Sequence, residues 1–288
     1  MNKSIFLLLL ATSLTFSQFN ENRRENRLLP DVIDLGFLSD VHLIDNGAQL
    51  NLYYIFKISY TRLLFHKSGD VFEANFEVAT EISDSLNNFI TRESVREKIF
   101  VSSFEETNND KNYVTGLIKL NVPFLKRFII NTKIVDLTTN IERRLIPKNV
   151  RGFEKNDKVL KPFFVSDIKN KNDMNEFHIV SYGNRIPLTS ESYTMLIPIA
   201  DTSIDKLDIV IGDNKDSLEL SSEEFFDASL KLTDTGNKII LTKDSNKVYR
   251  NFIFRKFNFI LDEGPKIINV KNFPTKTFRT EVFWFNKP

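Results

Sequence analysis

Val71-Phe-Glu-Ala-Asn-Phe-Glu-Val-Ala-Thr-Glu-Ile82 is the stretch whose reading decides the fold. Phe72, Ala74, Phe76, Val78, Thr80 and Ile82 fall on one side of an extended chain, and Glu73, Asn75, Glu77 and Glu81 on the other. That is a period of two, with one face for a core and one for water.

Working outward, the same pattern recurs. Leu50, Leu52, Tyr54, Phe56, Ile58 and Tyr60 share a face, with Asn51, Tyr53, Lys57 and Ser59 opposite. Ser68-Gly69-Asp70 is a turn signal that joins Leu63–His66 to the Phe72 strand as a hairpin. Phe89–Val101 alternates only loosely and is charged, which suits a polar edge strand. Glu105–Asn112 reads as an acidic loop. Val114–Val122 and Phe128–Ile134 read as further strands, and about seven strands at hairpin spacing point to an antiparallel sandwich.

The charged stretch from Lys148 to Leu160 reads as a boundary, and strands resume after it through Phe285. Ser221-Ser-Glu-Glu224 matches a helix-capping pattern and permits a short helix over Glu223–Ala228. The expected fold class is all-β: two consecutive antiparallel β-sandwich (Ig-like) domains after a signal peptide. The expected boundaries are 1–17 for the signal peptide, 18–27 for a flexible leader, 28–147 for the first sandwich, 148–160 for a linker and 161–285 for the second sandwich.

Lys3, the apolar run Ile5–Ala11, and small residues at Thr15 and Ser17 make the signal pattern, with cleavage expected after Ser17. The run is shorter than the roughly 20 apolar residues of a membrane span. Export to the periplasm or cell surface of a Gram-negative bacterium follows as the expectation. The chain has Cys 0, which removes thiol chemistry, zinc–thiolate sites and disulfides. A chain of 288 residues is long enough to bury a core without such staples. Lys+Arg 39 against Asp+Glu 38 gives no global pull toward nucleic acid or an anionic surface. Phe 27 against Trp 1 and Tyr 7 predicts a phenylalanine-packed core.

Catalytic motifs are missing. There is no Gly-x-Ser-x-Gly elbow, no His-Glu-x-x-His and no glycine-rich phosphate loop. His42, His66 and His178 are far apart and read as ordinary surface histidines. Asp213-Asn-Lys-Asp216 fails the calcium-loop pattern at Lys215 and reads as a hairpin turn. Glu73, Glu77 and Glu81 read as a solvent-facing row. Trp284, Tyr182 and Tyr193 are the aromatic candidates for a glycan platform, with packing the favoured reading. No catalytic residue, metal ligand or cofactor is expected. The binding candidates are Arg92, Val95 and Arg96, on the expected edge strand, where a protein partner could add a strand.

Leu52-Tyr-Tyr-Ile55, Arg62-Leu-Leu-Phe65, Gly69-Asp-Val-Phe-Glu-Ala74 and Phe164-Val-Ser-Asp-Ile168 together resemble the N-terminal β-rich region of GWxTD domain-containing exported bacterial proteins. The naming Gly-Trp-x-Thr-Asp motif is absent, and Trp284 lies in Phe283-Trp284-Phe285. The resemblance implies an exported, sandwich-rich protein with no established catalytic residues. The expected function is a non-enzymatic binding or assembly module. The alternative is a periplasmic hydrolase with a carboxylate site at the domain interface.

Overall fold

A computed structural model describes residues 36–45, 48–153, 159–171, 174–187, 193–199, 206–211, 214–219, 226–234, 236–243, 253–259, 264–273 and 278–286. The expected signal peptide, leader and Ser221–Glu224 cap lie outside those residues. Nine strands come from the first half: β1 Phe37–Asp45, β2 Leu50–Ser59, β3 His66–Ser68, β4 Val71–Ser83, β5 Phe89–Val101, β6 Tyr113–Val122, β7 Arg127–Asp136, β8 Glu142–Arg144 and β9 Lys148–Arg151. The second half supplies β10 Phe163–Lys171, β11 Met174–Ile179, β12 Arg185–Pro187, β13 Tyr193–Ile199, β14 Lys206–Ile211 and β15 Asn214–Glu219. It continues with β16 Phe226–Thr233, β17 Gly236–Lys243, β18 Ile253–Phe259, β19 Gly264–Phe273 and β20 Phe278–Asn286. One single-turn helix, α1 Phe104–Thr107, is the α-helix among the described residues.

The class is all-β, as the alternation predicts. Four sheets form, here called A to D. Sheet A runs β1-β2-β6, and sheet B is built on β3-β4-β7-β8 with β5 beside β4 and β9 beside β7. Sheet C runs β16-β17-β11-β10-β13-β18, and sheet D runs β12-β20-β19-β14-β15. Among the described residues, pairing is antiparallel apart from β12 with β20.

The sheets stack B, A, C, D, and consecutive side chains show how. On β2, Tyr54 points to sheet B, where its hydroxyl accepts from the Thr132 hydroxyl of β7 at 3.0 Å. Its neighbour Tyr53 points to sheet C and bonds the Leu230 backbone of β16. On β10, Phe163 stacks on His42 of β1 with ring centroids 3.8 Å apart. Phe164, on the opposite face, meets Phe283 and Phe285 of β20 edge-on at 4.9 and 5.6 Å. β1 and β2 of sheet A are therefore covered on both faces, while Tyr113, Lys119 and Asn121 of β6 stay exposed.

That covering corrects the reading of β2. Tyr53, read on the side opposite the Leu50–Ile58 row, and Ile55 on the same side are as buried as Tyr54 and Phe56. The run Leu-Tyr-Tyr-Ile-Phe is what a strand with two dry faces carries. Gly116 of β6 sits directly opposite Phe56, and a Cβ there would lie 1.9 Å from the Phe56 ring. Glycine at that position makes room for the ring. β4, by contrast, keeps the expected alternation along most of its length: Ala74, Phe76, Val78, Thr80 and Ile82 are buried and Glu73, Asn75, Glu77 and Glu81 half-buried, but Phe72 is only half-buried and Ala79, on the glutamate side, is buried.

The expected linker begins as structure. Lys148–Arg151 pair with β7, and Phe153 and Leu160 enter the first core. The change of half coincides with a change of sheets, but the halves meet across a shared core. That core draws Phe76 and Phe128 from the first half and Phe163, Leu230 and Ile239 from the second. Gly36–Pro288 forms one compact unit. Two smaller expectations also change. The strand expected at Leu63–His66 falls at His66–Ser68, after a 3-10 turn at Tyr60–Arg62. Phe226–Ala228, offered to a short helix, belong to β16.

Burying the A–C interface leaves polar groups to satisfy. Asp40, 4% exposed, accepts from Lys161 Nζ at 2.7 Å and from the Asn184 N–H at 3.2 and 3.3 Å. Lys161 also donates to Asn184 Oδ1 at 2.6 Å. Asn237 of β17 donates to the Gly116 carbonyl and to the Tyr182 hydroxyl, both at 3.1 Å.

Two outcomes follow for urea melts. Phe76→Ala should cost about 3–5 kcal/mol through the cavity it leaves, whereas Glu77→Gln on the wet face should cost no more than about 1 kcal/mol. Lys161→Met should cost about 3–5 kcal/mol, because it strands Asp40 as a buried unpaired charge. A loss below 1 kcal/mol from Lys161→Met, a magnitude typical of exposed pairs, would mean that Asp40 is solvated in the folded chain.

Candidate binding edge

Strand β5 has one hydrogen-bonded neighbour among the described residues, β4, and lies close to β6 of sheet A without pairing with it. Its register along β4 is continuous from Phe72 opposite Val101 to Ile82 opposite Thr91, with a shift before Ser83 opposite Phe89. Asp84 closes the preceding turn, its carboxylate accepting from the Leu86 and Asn88 N–H groups at 2.8 Å. At the far end, Ser103 Oγ accepts from the Glu106 N–H at 3.3 Å and caps α1.

Alternation divides β5 into two rows. Val95, Ile99 and Val101 turn toward the core, and Thr91, Glu93 and Glu97 share their side of the strand. Arg92, Ser94, Arg96, Lys98 and Phe100 face water. Of the sequence candidates, Arg92 and Arg96 thus share the outer row, and Val95 lies on the other face, packed against the core.

The outer row meets the glutamates of β4. Arg96 sits opposite Glu77 and donates from Nε to Oε2 at 2.7 Å. Lys98 reaches diagonally to Glu73 Oε1 at 2.8 Å. Arg92 sits opposite Glu81. Arg96 holds the Glu77 carboxyl below the ordinary carboxylate range, with Arg92 adding to the same field. The cations lie outermost: the Arg96 side chain is 73% exposed against 13% for Glu77, and Lys98 is 50% exposed against 21% for Glu73. The glutamate row expected to face solvent is therefore covered by arginine and lysine. Large apolar side chains flank the strand, with Leu86, Phe89, Phe100 and Phe104 all exposed.

The other candidate groups are dispersed. His42 is fully buried rather than on the surface. Burial holds it well below its ordinary pKa, and the cations Lys161 and Arg279 push it further down. His66 Nε2 lies 3.6 Å from Asp136 Oδ2 beside a shallow recess lined by Arg62, Phe76 and Arg143. Burial raises the Asp136 carboxyl, but bonds from the Thr139 hydroxyl and N–H and the nearby His66 outweigh it and leave it low. His178, half-buried on β11, is lowered by burial and by Lys238. Tyr182 is buried and Trp284 half-buried; the Tyr193 side chain lies outside the described residues. Asn214 pairs with Ile211 across the β14–β15 hairpin, while Asp213 lies outside the described residues. No group of three or more His, Asp or Glu side chains comes together as a metal site among the described residues. No helix among them is long and apolar enough to cross a membrane.

No family model matches the chain, and no curated protein matches it. Among solved structures, it is similar to red sea bream transglutaminase at 7% identity and a TM-score of 0.24. That alignment covers 87% of this chain and 31% of the transglutaminase chain.

The buried histidine gives a pH prediction. In the unfolded chain His42 titrates near 6.5, and in the folded chain it titrates well below that. Below the unfolded value the unfolded state binds the extra proton, so stability falls as pH drops from about 6.5 toward the folded value. The slope contributed by one proton is up to about 1.4 kcal/mol per pH unit. Urea midpoints from pH 7 to pH 5, the range in which histidines titrate, should flatten in His42→Phe. An unchanged slope would mean that His42 is solvated.

Proposed function

We propose that this protein is an exported, non-enzymatic binding or assembly module that works in the periplasm or at the cell surface and engages a protein partner by strand addition at β5. The observation that carries the proposal is the position of β5: thirteen residues long, and bonded to β4 alone among the described residues. An edge of that length offers a row of unpaired N–H and C=O groups to an extended segment. Exposed Phe89 and Phe100 at its two ends add apolar surface where an incoming strand would lie. The signal-like N-terminus and the likeness to exported GWxTD-containing proteins support the compartment.

Proline scanning tests this. Successive N–H groups of a strand point to opposite sides, so of Ser94 and Val95 one donates toward β4 and the other points outward. A proline at the outward position removes a donor that the fold does not use. Mature protein carrying Ser94→Pro or Val95→Pro would be compared with wild type for partner capture from its own envelope fraction and for melting. One of the two should melt within about 1 kcal/mol of wild type and lose the partner that wild type retains. Unfolding by both substitutions, or capture by both, would contradict the proposal.

A further inference from the structure

The chemistry of β5 specifies what kind of strand it takes. We infer that the outer edge of β5 selects an antiparallel segment with acidic side chains at alternate positions on its water-facing side, and that it rejects a second copy of this chain. The inference rests on the strand-addition reading above and adds to it the character of the partner.

The first observation is the outer row itself. Arg92, Arg96 and Lys98 project from one face of β5 and stay in water over the carboxylates beneath them. A strand added on the free side places its own side chains opposite this row, at the spacing that β4 already uses. β4 is therefore a worked example of a complementary strand. It meets the same cations with Glu73, Glu77 and Glu81, two residues facing theirs directly and one diagonally. An incoming segment with lysine or arginine at those positions would set like charges directly opposite, which is unfavourable.

The second observation concerns self-pairing. Two copies joined edge to edge by antiparallel strands are related by a two-fold axis normal to the sheet. Such an axis keeps the two faces of the sheet, so each symmetric register is centred on a single residue. Centred on Val95, Arg92 faces Lys98 and Glu93 faces Glu97. Centred on Ser94, Arg92 faces Arg96. Centred on Glu93 or on Arg96, that residue faces its own copy. Each central register sets like charges against each other, so the same charges that invite an acidic strand oppose a homodimer.

Two labelled peptides provide the test. One carries the β4 sequence Val71–Ser83, and the other is identical except for glutamine in place of its three glutamates. Binding to the mature protein is read by fluorescence anisotropy at low and high salt. The glutamate peptide should bind about tenfold tighter at low salt, from three cross-strand charge pairs each contributing a few-fold. The advantage should shrink at high salt and should fall to the few-fold of the remaining Lys98 pair in the Arg92→Gln, Arg96→Gln double variant, while Ser94→Pro or Val95→Pro abolishes binding of both peptides. Sedimentation should show no dimer joined through β5.

Equal binding of both peptides, blocked by proline, would overturn the acidic selectivity and leave strand addition standing. Binding of neither peptide would overturn both. A wild-type dimer that Ser94→Pro or Val95→Pro dissolves would overturn the rejection of self-pairing, because it would show two copies joined through β5 despite the like charges.

Discussion

The fold depends on β2 being dry on both faces. Leu50–Ser59 lies between β1 and β6 within its sheet, and that sheet lies between two others. Its tyrosines show what such burial requires. Tyr54, fully buried, is raised to about 12 by desolvation, and its hydroxyl is taken up by Thr132. Tyr53 faces the other way and is satisfied by the Leu230 backbone. Each hydroxyl ties sheet A to a different neighbour, so hydrogen bonds that satisfy buried oxygen atoms also fix how the sheets stack. Asp40, Lys161 and Asn184 do the same for the ionic groups of the A–C interface.

This arrangement directs attention to the rim. Stacking hides both faces of β1 and β2, and the outer face of sheet B is charged. What remains for recognition on sheet B is its edge, and β5 is the long strand there. Its inward row contributes Val95 and Ile99 to the core, which anchors the strand without a second hydrogen-bonded neighbour. Its outward row carries the charges that guard a free edge. Under the proposed strand addition, the same residues suppress pairing with a like strand and admit pairing with an opposite one.

The sequence made β4 legible because one of its faces is wet, so glutamate alternates with apolar residues. β5 was legible as an edge from its charge. β2 was half legible. Its two faces were read as one dry and one wet, although the unbroken run Leu52–Phe56 carries the signal of double burial. His42 was not legible, because nothing in a single histidine distinguishes a surface position from one stacked on Phe163 across a sheet interface. The short helix α1 lies in the stretch that reads as an acidic loop, although Ser103-Phe-Glu-Glu106 carries the same capping pattern as Ser221–Glu224. The charge of Arg92 and Arg96 marks the edge strand in the sequence. Their partners Glu77 and Glu81 depended on register, which alternation alone does not fix.

The central claim is that β5 is an edge in the folded chain while β2 is interior. Amide hydrogen exchange, resolved residue by residue by NMR on the folded chain, tests it most directly. The account predicts a two-residue rhythm along β5: amides bonded to β4 exchange slowly, and the alternate amides, facing water, exchange orders of magnitude faster. Along β2 every amide should be slow. Uniformly slow exchange along Phe89–Val101 would show that another strand covers β5 in the isolated protein and would contradict the account.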